Sequence, residues 1–295
     1  MLKLHEWIDV NKLNWDSLSE NIKAIELLKQ NENKINWKLL SKNPNAMELL
    51  NKNKDKIDWY YLSENPNAIE LLEKNQDKID WNFLSKNQNA IELLKKNKEK
   101  INWNCLSVNI NAFELLKKNK NRINWKKLCM VTKEIEFLRQ NKEKIDWEHL
   151  SENPNAIELL KENQDKINWD RLSMNSNAIS LLMKNQDKIN WKLISFNKNA
   201  IFLINNNNKN IFWTILSLNE NTISMLKENQ NKIDWRFFSQ NPNIFTYDYK
   251  KMKETIKNSG IVEELMAYIF NPKNMNKWID WGFSDHQEFM DFINN

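Results

Sequence analysis

Apolar residues recur along this chain with a period of 22: a Trp, a Leu three places on, a cluster of Ala, Ile, Leu and Leu, then an Ile shortly before the next Trp. The indoles stand at Trp15, Trp37, Trp59, Trp81, Trp103, Trp125, Trp147, Trp169, Trp191, Trp213 and Trp235, with no insertion or deletion between them. A fixed period of this length is the signature of stacked repeats, because so short a piece can bury its apolar face only against its neighbours. With Trp as position 1, Leu or Ile holds position 4 in almost every repeat, as in Leu18, Leu40 and Leu62. That spacing places both on one helical face. The Asn or Asp just ahead of the Trp, such as Asn36 or Asp58, is a residue type that caps a helix start.

A second helix is predicted further on. Position 7 is Asn in nearly all repeats and is followed by Pro44, Pro66, Pro154 and Pro242 in four of them. Asn as cap and Pro as first helical residue is a start signal, since Pro lacks only an N–H that would be unpaired there. Ala90, Ile91, Leu93 and Leu94 illustrate the apolar set that follows. Asn at position 17 (Asn31, Asn53, Asn75) is expected to end this helix in a left-handed C-terminal cap. Leucine-rich repeats share the period, but they need an inward apolar residue where this chain has Asp16, Lys38, Asn82, Lys126 and Glu148, so the strand reading fails.

The predicted fold class is therefore all-α, an α-solenoid of 22-residue helix-turn-helix repeats with N- and C-terminal caps. Residues 1–14 are expected to form the N-terminal cap, 15–246 the array and 247–295 a C-terminal helical cap. The eleven Trp are expected to form the structural core, each burying roughly 150–250 Å². Helices ~8–10 Å apart would make a rod or superhelix of about 90–100 Å along its curve. The repeat at Trp125, where Cys129, Met130, Val131 and Thr132 replace the usual Ser-x-Asn-Pro, is expected to disturb the curvature. After Pro242 an amphipathic helix is expected from Tyr247 to about Phe270, followed by an apolar tail around Trp278, Trp281 and Phe289.

Composition narrows the function classes. The chain has 44 basic and 39 acidic residues, a net charge of +5, which is mild for a nucleic-acid binder. Two isolated cysteines, Cys105 and Cys129, offer neither a disulfide framework nor a zinc site. Only two glycines occur, Gly260 and Gly282, so phosphate-binding glycine loops are excluded from the repeats. The charged N-terminus lacks a signal-peptide apolar core, and no apolar run reaches the ~18 residues of a membrane span. The expectation is a soluble intracellular protein with no membrane association.

No constellation of catalytic chemistry emerges. The three histidines, His5, His149 and His286, lie far apart without orienting partners, so no catalytic, cofactor-binding or metal residues are assigned, no cofactor is expected, and the chain is read as a non-enzyme. Glu stands at position 12 in the first seven repeats, and in Glu26/Lys29, Glu70/Lys74, Glu92/Lys96, Glu114/Lys118 and Glu158/Lys161 a Lys follows three or four residues on, as in helix-surface pairs. A basic column at position 20 (Lys34, Lys56, Lys78, Lys100, Arg122 and onward) could track phosphates, but Asp or Glu beside it weakens the field. From Trp169 onward the polar faces turn apolar. Met174, Leu193, Phe196, Phe202, Ile215 and Leu218 outline a patch the fold does not demand, and it is the candidate protein-binding surface.

The repeat Ile-Asp-Trp-x-x-Leu-Ser-x-Asn-Pro-Asn-Ala-Ile-Glu-Leu-Leu, with a Tyr-Asp-Tyr segment and a closing Asn-Pro-Lys-Asn…Trp-Gly-Phe tail, resembles the short-repeat proteins encoded in many copies by giant DNA viruses such as the mimiviruses. The resemblance spans nearly the whole chain. It implies a viral α-helical repeat protein of the host cytoplasm, the viral factory or the virion, and it carries no activity or functional residue across. The leading expectation is a repeat scaffold for protein-protein interaction with an unidentified protein partner. The alternatives are a structural component of a virus particle and, third, a nucleic-acid-binding solenoid.

Overall fold

The computed structural model describes residues 2–205 and 211–260 together with Glu264 and Tyr268. The chain forms two compact units, Leu4–Phe245 and a smaller one made of Met1–Lys3 with Thr246–Asn295. In the smaller unit Leu2–Leu4 pairs with Phe245–Tyr247 as a two-stranded sheet, and a helix runs over Tyr249–Asn258, capped by Asp248. The helix expected to reach Phe270 stops there, before Gly260 at φ 72°. The apolar tail around Trp278 lies outside the described residues.

The larger unit is an all-α solenoid with the 22-residue repeat as its building block. The repeats have a short helix that begins at the Trp, as in Trp37–Lys42 or Trp81–Lys86, replaced in the Trp191 repeat by the 3-10 helix Leu193–Phe196, and a second helix, as in Met47–Lys52 or Ile91–Lys96. A 3-10 turn such as Lys54–Lys56 or Lys98–Lys100 then leads to the next Trp. The first helix starts where the caps predict: an Asn36 Oδ1 accepts the Leu39 N–H at 3.1 Å and Asp58 Oδ1 that of Tyr61 at 3.1 Å. The Asn-Pro signal at Asn43-Pro44 opens a 3-10 turn, Pro44–Ala46, and the α-helix proper follows from Met47.

Position 17 departs from expectation. Among the described residues no non-glycine has a positive φ, and Asn31 sits at φ −137°. Its side chain instead donates to the Leu27 carbonyl at 2.9 Å, satisfying one of the helix's free carbonyls directly, so the backbone needs no left-handed turn.

The core lies between the two helices of each repeat. Leu at position 4, Ala at position 10 and Leu at position 14 are fully buried, as Leu84, Ala90 and Leu94 show. The repeat tryptophans are only half-buried and pack at the edge of this core. Their outer faces are covered by the basic column: Lys34 lies 4.5 Å from the Trp15 ring centroid, Lys56 4.5 Å from Trp37, Lys78 4.6 Å from Trp59 and Arg122 5.0 Å from Trp103. A cation over an indole face contributes about 0.5–1 kcal/mol at exposed sites. The charges that could have tracked a phosphate backbone thus serve the stacking of repeats.

Polar side chains bridge every regular junction. Ser85 Oγ accepts the N–H of Asn102 in the next repeat at 3.0 Å while donating to the Trp81 carbonyl at 2.7 Å. The buried Asn87 Nδ2 donates back to the carbonyls of Ser63 (3.1 Å) and Asn65 (2.8 Å), and Asn89 Nδ2 to that of Pro66 (2.9 Å). The same set recurs around the array, so the asparagine content has a structural use: one amide side chain supplies both donor and acceptor at a dry junction.

The array is not an open rod, because its ends meet. Trp15–Glu20 packs on Trp235–Gln240 as closely as on Trp37–Lys42. Eleven repeats of 22 close after 242 residues, and the ladder obeys that count. Ser239 Oγ accepts the Asn14 N–H at 2.8 Å, and Asn21 Nδ2 donates to the carbonyls of Ser239 and Asn241 at 3.0 Å each. The N-terminal segment completes the last repeat: Val10–Lys12 forms the 3-10 turn and Lys12 lies over Trp235 at 5.3 Å. Trp7 packs on Phe238 at 5.6 Å, and the His5 N–H donates to the Ile244 carbonyl at 3.1 Å. Curvature has a simple cause. At most junctions the first helices of neighbouring repeats pack closely while no two successive second helices do, so the repeats are wedges and the first helices form the inner circle. With helices ~8–10 Å apart, eleven make a ring on the order of 30 Å across their axes.

The repeat at Trp125 is irregular in the length of its first helix and in the register of its junction. Its first helix extends over Trp125–Val131, and Asn153 Nδ2 meets the carbonyls of Cys129 and Thr132, the second one residue out of step with the other junctions. Phe137 compensates by stacking on Trp125, with centroids 5.5 Å apart and planes 8° from parallel.

Candidate interaction surface

In the inner helices, positions 4 and 5 point into the core, so positions 2, 3 and 6 lie on the opposite side, toward the centre of the ring. Those positions carry Lys38, Lys42, Lys86, Lys126, Lys127, Arg171, Lys192 and Arg236 against Asp16, Glu20, Glu64, Glu148, Glu152 and Asp170. Several are paired across repeats, Arg171 with Glu152 at 3.0 Å and Glu148 at 3.5 Å, and Lys42 with Glu64 at 3.8 Å. The lumen face is therefore nearly balanced in charge.

Position 6 divides the ring into two arcs. Glu20, Lys42, Glu64 and Lys86 alternate in sign, and Gln240 Nε2 donates to Glu20 Oε2 at 3.3 Å across the closure. Val108, Met130, Met174, Phe196 and Leu218 are apolar, with Glu152 the one exception among them. Phe196 is 48% and Leu218 38% exposed. Together with Ile215 they line a pocket of about 300 Å³ whose floor and rim include Ser195, Asn219, Pro242 and the Lys198–Glu220 ion pair (3.1 Å).

The six candidate residues do not form one site. Phe196, Ile215 and Leu218 converge on this pocket; half-buried Met174 and Leu193 do not line it. Phe202 stands on the second helix Ile201–Asn205, 64% exposed, where earlier repeats carry Glu. That outer Glu column makes surface pairs, Glu26 with Lys29 at 3.0 Å and Glu158 with Lys161 at 2.7 Å. A second cluster went unnoticed in the sequence: Tyr60 packs on Phe83 at 4.1 Å and on Tyr61 at 5.3 Å, with Lys38 over Tyr61 and Lys86 over Phe83. Its signal was there, since position 2 is polar in every other repeat.

His149 is buried, and its Nδ1 lies 2.9 Å from Asp146 Oδ1, which also accepts the His149 N–H. Burial pushes the Asp146 carboxyl up, but the hydrogen bonds from His149 outweigh it and hold the group below the usual aspartate value. The pair caps a helix start. Among the described residues no three His, Cys, Asp or Glu side chains gather as a metal site, and no helix is long and apolar enough to cross a membrane. No family profile, curated protein or solved structure matches this chain.

Proposed function

We propose that the closed solenoid is a non-enzymatic scaffold that docks a protein partner on the apolar arc of its inner helices. The partner would place an aliphatic or aromatic side chain in the Phe196–Ile215–Leu218 pocket and polar groups against Lys198 and Glu220. The observation that supports this reading is the exposure of large apolar side chains at positions where other repeats, with the same backbone ladder, carry Glu or Lys. Exposed apolar surface that stacking does not require marks an interaction site. Balanced charge on the lumen face and the use of the basic column in stacking both count against a phosphate backbone as ligand. The repeat motif's resemblance extends the proposal to a viral scaffold working in the infected cell.

The test is affinity capture with crosslinking, comparing the natural chain with a Phe196→Asp/Leu218→Asp double variant and a Phe202→Asp control. Loss of a partner with the double variant alone supports the reading. An unchanged partner set in all three overturns it.

A further inference from the structure

The outer helices share a polar arrangement that lacks its anion at one junction. Position 15 of one repeat lies within ion-pair reach of position 16 of the next, as Glu73 with Lys96 at 3.4 Å and Arg139 with Glu162 at 2.7 Å show. Three junctions place lysine at both positions, and two of these carry Glu at position 12: Glu48 beside Lys29 and Lys52, and Glu114 beside Lys95 and Lys118. Glu48 bridges its two lysines, 2.9 Å from Lys29 and 2.8 Å from Lys52. The third junction has Lys161 and Lys184, with Ser180 at position 12. A serine is uncharged and shorter than a glutamate, so it leaves the bridging place without its carboxylate.

We infer that Lys161 and Lys184 form a binding site for a carboxylate supplied in trans, an aspartate or glutamate side chain of a protein partner. Both lysines line a cleft of about 400 Å³ together with Gln164, Ser180, Leu181 and Asn185. The filled junction has the same frame, since Asn53 Nδ2 donates to the Leu49 carbonyl at 3.0 Å and Asn185 Nδ2 to that of Leu181 at 2.9 Å. Glu158 does not stand in for the missing group. It pairs with Lys161 at 2.7 Å just as Glu26 pairs with Lys29 at 3.0 Å, and Lys29 holds Glu48 as well. Lys184, whose counterpart Lys52 is paired with Glu48, forms no ion pair among the described residues. The other difference in the lining also removes negative charge, with Gln164 where the filled junction has Glu32. Two ammonium groups held at this spacing repel each other until an anion sits between them, and charge-assisted hydrogen bonds to both then hold it. In the filled junction that attraction draws the Glu48 carboxyl down to about 2. A carboxylate is the group the array itself uses in this place, which sets the chemistry of the ligand.

Only the protein origin of the ligand rests on the scaffold reading; the site itself rests on the comparison between junctions. The lysine Cε signals of the full chain are followed by NMR while succinate replaces chloride at constant ionic strength, with Lys52→Gln, Lys161→Gln and Lys184→Gln to assign them. The Lys161 and Lys184 signals are expected to shift, while that of Lys52, already paired with Glu48, stays in place. Ser180→Glu should abolish the response by filling the site from within, and its new carboxyl should titrate well below the ordinary value of 4.5, as Glu48 does. Glu48→Gln should make the Lys52 signal responsive by emptying its own junction. A Lys184 shift no larger than that of Lys52 in the natural chain, or a midpoint at 4.5 for the carboxyl of Ser180→Glu, overturns the assignment. Capture of a partner through the Phe196 pocket can fail while Lys184 responds to succinate, so the two readings fall separately.

Discussion

Closure of the ring makes Asn21 the equal of an asparagine in mid-array, and this can be measured. Asn87 makes three hydrogen bonds at its junction: Nδ2 to the carbonyls of Ser63 and Asn65, and Oδ1 from the Asn89 N–H at 3.0 Å. Asn21 makes the same three, to Ser239 and Asn241 and from the Lys23 N–H at 3.0 Å. Both residues are 2% exposed. At about 1 kcal/mol net for each bond, Asn→Ala at either site should cost about 3 kcal/mol. Were the array open, Asn21 would face water and keep only its local bond to Lys23, so its loss would cost about 1 kcal/mol. Urea denaturation of the two variants against the natural chain decides between these values. Hydrogen exchange adds a second reading, because the Asn14 N–H is bonded to Ser239 Oγ only if the ends meet. Equal losses with a protected Asn14 amide are expected. A cost near 1 kcal/mol for Asn21→Ala beside about 3 for Asn87→Ala, with fast exchange at Asn14, would refute closure.

Two further outcomes follow from local environments. Burial pushes the Cys129 thiol up to about 11, whereas Cys105 is half-buried, so a thiol reagent at neutral pH should modify Cys105 in the native protein and Cys129 only on unfolding. Similar native rates at both would contradict the buried placement. Hydrogen bonds from Lys52 and Lys29 pull the exposed Glu48 carboxyl from its ordinary value near 4.5 down to about 2. The folded state then favours the ionised form, so this contribution to stability is complete above pH 4.5 and is lost as the pH falls toward 2. Glu48→Gln should flatten stability against pH in that window, and a carboxyl titration by carbon NMR should show a midpoint well under 4.5; a midpoint at 4.5 would discard the pairing.

Much of the fold was legible because the repeat states its own rules. Capping Asn or Asp before each Trp, Leu at position 4 and the apolar second helix are local signals, and local signals read directly from sequence. Three things were hidden, each for a physical reason. Ring closure depends on a small wedge angle between repeats, about 33° for eleven of them, and periodicity carries no angle. The role of Val10–Lys12 as the missing turn of the last repeat was masked because the residues before it have diverged, leaving only Asn11, Lys12, Leu13 and Asn14 in register with Asn33, Lys34, Ile35 and Asn36. Asparagine at position 7 reads as a helix cap, which it is, while its second task, donating across the junction, depends on a neighbour's carbonyls. As for the candidate surface, the column at position 6 was visible as a change of residue type, but not that Phe202 belongs to the other layer.

A closed ring also alters what the variable positions mean. In an open array an irregular repeat is absorbed by a change of pitch, whereas in a ring every junction must keep the turn that brings Asn14 to Ser239. Residues at positions 4, 5, 7 and 9 share that burden, and they vary little from repeat to repeat. Position 6 does not: Lys42, Val108 and Phe196 follow the same buried serine and precede the same buried asparagine. Since the stacking tolerates charge there, the apolar side chains at Phe196 and Leu218 are not required by folding, and their exposure carries a cost in solubility with no return within the chain. Phe196 and Leu218 belong to the repeats that begin at Trp191 and Trp213, so this exposed apolar surface falls on one arc of the ring.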